Sequence, residues 1–199
     1  MNQPVYHPFH AAVTQNNRKL INSPLILKDG HYEIDFADLE EKIKTHKVKA
    51  AVLCSPHNPV GRVWTIEELH AYAKICRKYN VAVICDEIHA DFVFKGHKHI
   101  PFAAVSEDAA DRSVTCTAPS KTFNIAGLQT SNILIPNESI RNKFKPPLIH
   151  SAMNARMSWV SLQPRPPTAA GKNGLPRSGN TSKTILLLLK NSLPADCRK

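Results

Sequence analysis

The sequence predicts an α/β fold with a mainly parallel sheet and flanking helices. Three short strand-like runs point to it, and each ends in a polar loop. Ala50 to Cys54 leads into Ser55-Pro56-His57-Asn58-Pro59, Val81 to Cys85 into Asp86-Glu87-Ile88-His89, and Ser113 to Thr117 into Ala118-Pro119-Ser120-Lys121. The first run is apolar throughout, as a strand buried on both faces of a parallel sheet would be. A helical pattern separates the first two runs, so Ala50 to Asp86 reads as one strand–helix–strand unit. In such a sheet the loops after the strands open on one edge, where ligands bind. Lys121 is expected on one of those loops.

The elements follow in order. Residues 1–27 read as a strand end, a helix and a second strand. Pro8 suits the first turn of a helix over Phe9 to Asn17, because its missing N–H would be unpaired there anyway. Asp29-Gly30 marks a turn. Asp35 starts a helix in which Phe36, Leu39 and Ile43 recur at helical spacing. Thr65-Ile66-Glu67-Glu68 has the form of a capping box. The helix it opens carries Leu69, Tyr72, Ala73 and Cys76 along one stripe, which should face the sheet. His97-Lys98-His99, between Gly96 and Pro101, reads as a surface turn. Thr130 to Ile135 is a further strand, and Asn137 to Lys145 a short polar helix.

Charge divides the chain in two. Residues 1–145 hold 18 Lys and Arg against 15 Asp and Glu, a net +3, whereas residues 146–199 hold 8 against 1, a net +7. The overall +10 therefore lies mostly in the last quarter, and no nucleic-acid-binding motif accompanies it. Nucleic acid is not expected as a partner. No run is long and apolar enough to span a membrane, and the start lacks the pattern of a secretory signal. The five cysteines are scattered without a C-x-x-C pair, which suits buried thiols in a reducing, cytoplasmic setting. No metal site is expected, since His7 and His10 alone are too few ligands. The basic, proline-rich stretch 146–199 is expected to be a disordered tail or the product of a shifted reading frame.

The strand ends carry the chemistry. A Lys amine forms a Schiff base with an aldehyde, and pyridoxal 5'-phosphate (PLP) is the commonest such partner. That cofactor needs a carboxylate facing its ring nitrogen and a hydrogen-bonding group beside its ring hydroxyl. Asp86 can supply the first, and Asn58 or His89 the second. Each residue alone has a plainer reading: a solvated Lys, a capping Asp, an Asn-Pro turn.

The motifs Ser-Pro-His-Asn-Pro-Val-Gly-Arg (55–62), Cys-Asp-Glu-Ile-His-Ala-Asp (85–91) and Ala-Pro-Ser-Lys-Thr-Phe-Asn-Ile-Ala-Gly-Leu (118–128) resemble the large domain of class I/II aminotransferases. Within that fold type they are most similar to cystathionine β-lyases of the MalY/PatB kind. The resemblance runs from about residue 3 to 145 and implies a partial PLP-dependent transferase type I large domain over 1–145. It implies that Lys121 holds PLP, that Asp86 pairs with the pyridine nitrogen and that Asn58 bonds the ring hydroxyl. It places His89 where many aminotransferases have a Tyr reaching that hydroxyl, and Tyr6 where an aromatic ring stacks on the cofactor. Ser120 and Thr117 become candidates for the phosphate. The Arg that many aminotransferases carry eight residues after the Lys is Gln129 here. The implied reaction is carbon–sulfur β-elimination on a sulfur amino acid, giving thiol, pyruvate and ammonia, in a family that forms homodimers. Transamination is the alternative within enzymes. A truncated, inactive or partner-binding product is the alternative outside them, because family members are about twice as long.

Overall fold

The computed structural model describes residues 1–128 and 130–150. The first 34 residues form helix α1 (Pro8–Thr14) and a hairpin of β1 (Leu25–Lys28) and β2 (His31–Ile34). Pro8 opens α1 as expected, but the helix stops at Thr14 and residues 15–17 form turns. Asn17 takes the left-handed conformation (φ 55°), which Asn tolerates and which ends the helical path. The hairpin closes through Asp29 and Gly30, both at positive φ (49° and 80°), the geometry that lets a two-residue turn follow the twist of its strands. Helix α2 (Phe36–Thr45) starts where Asp35 accepts hydrogen bonds from the Ala37 and Asp38 N–H groups.

The central sheet has the order β3 (Ala50–Cys54), β4 (Ala82–Asp86), β5 (Ser113–Thr117) and β6 (Asn132–Leu134). The first three strands are parallel and β6 is antiparallel to β5. Helix α3 (Ile66–Lys78) joins β3 to β4, and α4 (Glu107–Asp111) precedes β5. The capping box forms in full, with Thr65 and Glu68 each accepting the other's backbone N–H. All four residues of the expected stripe, Leu69, Tyr72, Ala73 and Cys76, are buried. They join Ala51, Leu53, Val83 and Cys85 in the main core.

The two faces of the sheet are not equally covered. Register sets Val52, Ile84 and Val114 side by side on the face away from that core. Ile84 is 38 % exposed, and Val52 and Val114 are half-buried. The expectation that β3 is buried on both faces therefore holds fully for the core face and only in part for the other, where Cys54 is buried and Val52 half-buried. An apolar run cannot report how thickly each face is covered by the rest of the fold.

One core residue carries a polar atom without a partner. Tyr72 is fully buried, its ring stands edge-on to Phe102 at 6.1 Å, and its hydroxyl lacks a hydrogen bond among the described residues. Removing an unpaired buried hydroxyl while keeping the ring removes a desolvation cost. Tyr72→Phe is expected to leave stability unchanged or raise it by about 1 kcal/mol, read from urea unfolding. A loss of that size would reveal a partner for the hydroxyl.

Candidate active site

The site is built at the C-terminal ends of β3, β4 and β5. Cys54, Asp86 and Cys116 are register partners across the three strands, so their side chains project from one face. The ladder continues past the strands: Ser55 N–H donates to the Asp86 carbonyl at 2.9 Å, and Glu87 N–H to the Cys116 carbonyl at 2.8 Å. The loops bearing Asn58, His89 and Lys121 thus leave neighbouring strands at one edge, as the three runs predict.

Asp86 sits half-buried between two thiols. One carboxylate oxygen accepts the Ile88 N–H at 3.2 Å, and the other has no protein partner among the described residues. Burial pushes the Asp86 pKa up, opposed by the Ile88 bond and by His89, with Glu87 adding to the rise. An anion that burial penalises in this way gains from any cation brought against it. His89 is half-buried, and burial lowers its pKa. The charge of Asp86 opposes that shift and the charge of Lys121 adds to it, so His89 feels both groups. The imidazole is therefore neutral at pH 7, with one nitrogen donating and one accepting.

Asn58 belongs to a tight loop. His57 N–H donates to the Arg62 carbonyl at 2.7 Å, Gly61 N–H to the His57 carbonyl at 2.8 Å, and Gly61 needs its positive φ of 71° to close the turn. The Asn58 N–H reaches Cys54 Sγ at 3.5 Å, and its side-chain amide has no partner among the described residues. Asn58 and His89 line one cavity of about 420 Å³, together with His57, Phe92 and Phe94.

Lys121 lies in a one-turn helix, α5 (Pro119–Thr122), rather than on the loop the sequence suggests. Pro119 at its first position and Asn124 at φ 54° just beyond it bound the turn. The Lys121 side chain is exposed and Ser120 is half-buried. The Thr117 hydroxyl accepts from Asn132 Nδ2 at 3.4 Å. Tyr6 is 47 % exposed and stands edge-on to Phe9 at 5.6 Å. It lines a cleft of about 600 Å³ with Pro4, His7, His10 and Leu25. Gln129 and residues 151–199 lie outside the described residues, and with them the Gln129 position and nearly all of the expected tail.

Several residues that hold the site were not singled out from the sequence. His57 is buried, and its Nε2 bonds the Pro4 carbonyl at 2.9 Å, tying the segment before Tyr6 to the Asn58 loop. Trp64 donates to the Cys54 carbonyl at 2.9 Å beneath that loop. Glu87, 3 % exposed, accepts from Phe102 N–H at 2.9 Å and meets His99 Nε2 at 3.0 Å. This corrects the expected surface turn: His97 and Lys98 are exposed, but the His99 side chain is only 8 % exposed. Glu87 and His99 are twelve residues apart in the chain and share no periodic signal, so only the fold reveals the pair.

The thiols around Asp86 make a pH prediction. Burial pushes Cys54 and Cys116 up to about 11 and Cys76 up to about 12. The native state then keeps protons that the unfolded chain releases above about pH 9, so stability falls as pH rises from there towards 11. Urea midpoints at pH 8 and pH 10.5 should show a lower value at the higher pH. Equal midpoints would mean that these thiols ionise as freely folded as unfolded.

Comparison with known proteins agrees with this geometry. The family model for "Aminotransferase class I and II" matches residues 1–170. Cystathionine beta-lyase PatB of Bacillus subtilis is 53 % identical over 141 residues, covering 71 % of this chain and 36 % of PatB. Protein MalY of Escherichia coli is 36 % identical over 141 residues, covering 71 % of this chain and 35 % of MalY. The solved structure of cystalysin from Treponema denticola, described as containing a pyridoxal 5'-phosphate cofactor, superimposes with a TM-score of 0.73 at 46 % identity. It is matched over 75 % of this chain and 38 % of its own. The chain thus spans about a third of the length of the curated relatives it matches. A family match that takes in all three strand-end loops, on a sheet that sets them along one edge, means that this chain belongs to the class I and II aminotransferase family.

Proposed function

We propose that this chain forms part of the cofactor-binding large domain of a PLP-dependent carbon–sulfur β-lyase acting on a sulfur amino acid such as cystathionine. One observation carries the reading. Asp86 presents a half-buried carboxylate oxygen without a partner among the described residues, at the same sheet edge as an exposed Lys and an Asn whose side chain has no partner among those residues. That donor set fits PLP: a carboxylate for the pyridine nitrogen, an amine for the aldehyde, an amide and a neutral imidazole for the ring hydroxyl. The name of PatB, a cystathionine beta-lyase, supports elimination over amino transfer.

When bound, PLP supplies an electron sink for the pair of electrons left on the substrate α-carbon. The chain's own residues do the rest. Asp86 keeps the proton on the pyridine nitrogen, because burial disfavours the bare anion and a cationic N–H relieves it. Asn58 and neutral His89 orient the ring hydroxyl. Lys121 would anchor the aldehyde, and its free amine would take the proton from the substrate α-carbon as general base. Loss of the β-sulfur as thiol and addition of one water then yield pyruvate and ammonia. Ser120 and Thr117 are the candidates for the phosphate, and Tyr6 for the ring face. The same reading makes the working protein a cytoplasmic homodimer.

The test is to supply PLP and cystathionine and to follow pyruvate with no added keto acid. Pyruvate release is the expected result. Turnover only after a keto acid is added would reassign the chain to transamination. No turnover under either condition would leave the non-catalytic, partner-binding alternative.

A further inference from the structure

The residue after the candidate lysine is buried although it is polar. Thr122 is 5 % exposed, and its hydroxyl donates to Asp91 Oδ2 at 2.6 Å. A hydroxyl-to-carboxylate bond of that length is charge-assisted and among the stronger ones. Asp91 lies on the segment leaving β4, two residues beyond His89 and five beyond Asp86. The bond therefore joins the loops of two adjacent strand ends across 31 residues of chain.

One side of the bond needs an external hold. Helix α5 is four residues long and has no side-chain cap. Its surroundings add the Phe123 N–H to Pro119 carbonyl bond at 2.9 Å and the Ile125 N–H to Ser120 carbonyl bond at 3.0 Å. One turn of helix is not stable by itself, since nucleation fixes several dihedrals for a single bond. The other side is better anchored. Glu87 ties the start of its segment to Phe102 and His99, and the chain then runs through two turns, Ala90 N–H to Glu87 carbonyl at 3.0 Å and Phe92 N–H to His89 carbonyl at 2.9 Å. Asp91 is thus a post on a pinned segment, and Thr122 is the hook on a weak one.

We infer that the Asp91–Thr122 hydrogen bond is a positioning device that holds the Lys121 turn in place against the segment bearing Asp86 and His89. Asp91 and Thr122 act through Lys121 and are positioning residues. The role rests on the PLP reading above, because it gives the bond the task of keeping the amine and the ring-nitrogen partner at one cofactor.

The experiment uses the full chain and three variants: Thr122→Val, which keeps the shape and loses the hydroxyl, Thr122→Ser, which keeps the hydroxyl, and Asp91→Ala. Two readouts are taken. Without cofactor, hydrogen exchange at the Phe123 and Ile125 amides reports the turn. With PLP, borohydride-fixed cofactor at Lys121 and the pH titration of its absorbance report the placement of the amine. Thr122→Val and Asp91→Ala should each lower exchange protection and PLP capture by about tenfold, the scale of a lost bond to a charged group. Both should also shift the titration of the absorbance, and Thr122→Ser should restore all three. Thr122→Val behaving as wild type would overturn the inference. So would lost protection with unaltered capture and titration, which would make the bond structural only. A wild-type chain with protected amides that fixes no PLP would instead overturn the cofactor reading, and the positioning role with it.

Discussion

On the proposed reading, Lys121→Ala is expected to abolish borohydride-fixed PLP on this chain and pyruvate release from cystathionine, while leaving the fold intact. The first part follows from covalent chemistry. Lys121 is delivered at the strand-end edge beside Asp86 and His89, and its charge is felt at His89. An Ala there offers nothing for borohydride to fix. Loss of the general base alone is worth about 10²- to 10⁴-fold in rate, and loss of the anchor adds to it. The second part follows from exposure. Lys121 is exposed and makes no ion pair among the described residues, so its truncation should cost less than about 0.5 kcal/mol of stability. Mass spectrometry after borohydride reduction, pyruvate release and a urea melt read the three effects. An unchanged labelling yield would remove Lys121 from the account and move the search to another amine.

Trp64→Ala should unfold or nearly unfold the domain, and the site should go first. Trp64 is 1 % exposed in the main core. Its indole N–H donates to the Cys54 carbonyl, His57 stands edge-on to its ring at 5.4 Å, and the Arg62 guanidinium lies 4.8 Å from its centre. Arg62 in turn grips both Glu68 oxygens at 2.7 and 2.8 Å and also donates to the Tyr32 carbonyl. The ring therefore supports the loop that carries Asn58 from beneath and links it to the start of α3. Truncating a buried Trp costs about 3–5 kcal/mol, a large share of the roughly 5–15 kcal/mol that holds a native domain together. Trp64→Phe keeps most of the ring and loses the hydrogen bond, so it should cost less. Urea unfolding of the two variants checks the order. Equal losses would place the stabilisation in the hydrogen bond rather than in the packing.

The sequence was most legible where short-range rules act alone. The Thr65–Glu68 capping box, the stripe on α3, the Asp35 cap and the Asp29-Gly30 turn all depend on neighbours within a few residues. Strand β3 matches its expected limits, and β4 and β6 differ by one or two residues at their ends. Boundaries shifted where the local signal is weak. Nothing in residues 15–17 forbids helix, yet the chain must turn there towards the hairpin.

By itself the sequence determined which residues arrive at the ligand-binding edge. A strand followed by a polar loop delivers its side chains at the strand end whatever the rest of the fold does, so Asn58, Asp86, His89 and Lys121 were readable in order. What holds them there was decided by the tertiary structure alone. The Asp91–Thr122 hook, the Glu87–His99 pair, the His57 bond to Pro4 and the half-open face around Ile84 each join residues far apart in the chain. Hydrogen bonds between distant loops have no period and no spacing. They exist only once the sheet has set its strand ends side by side.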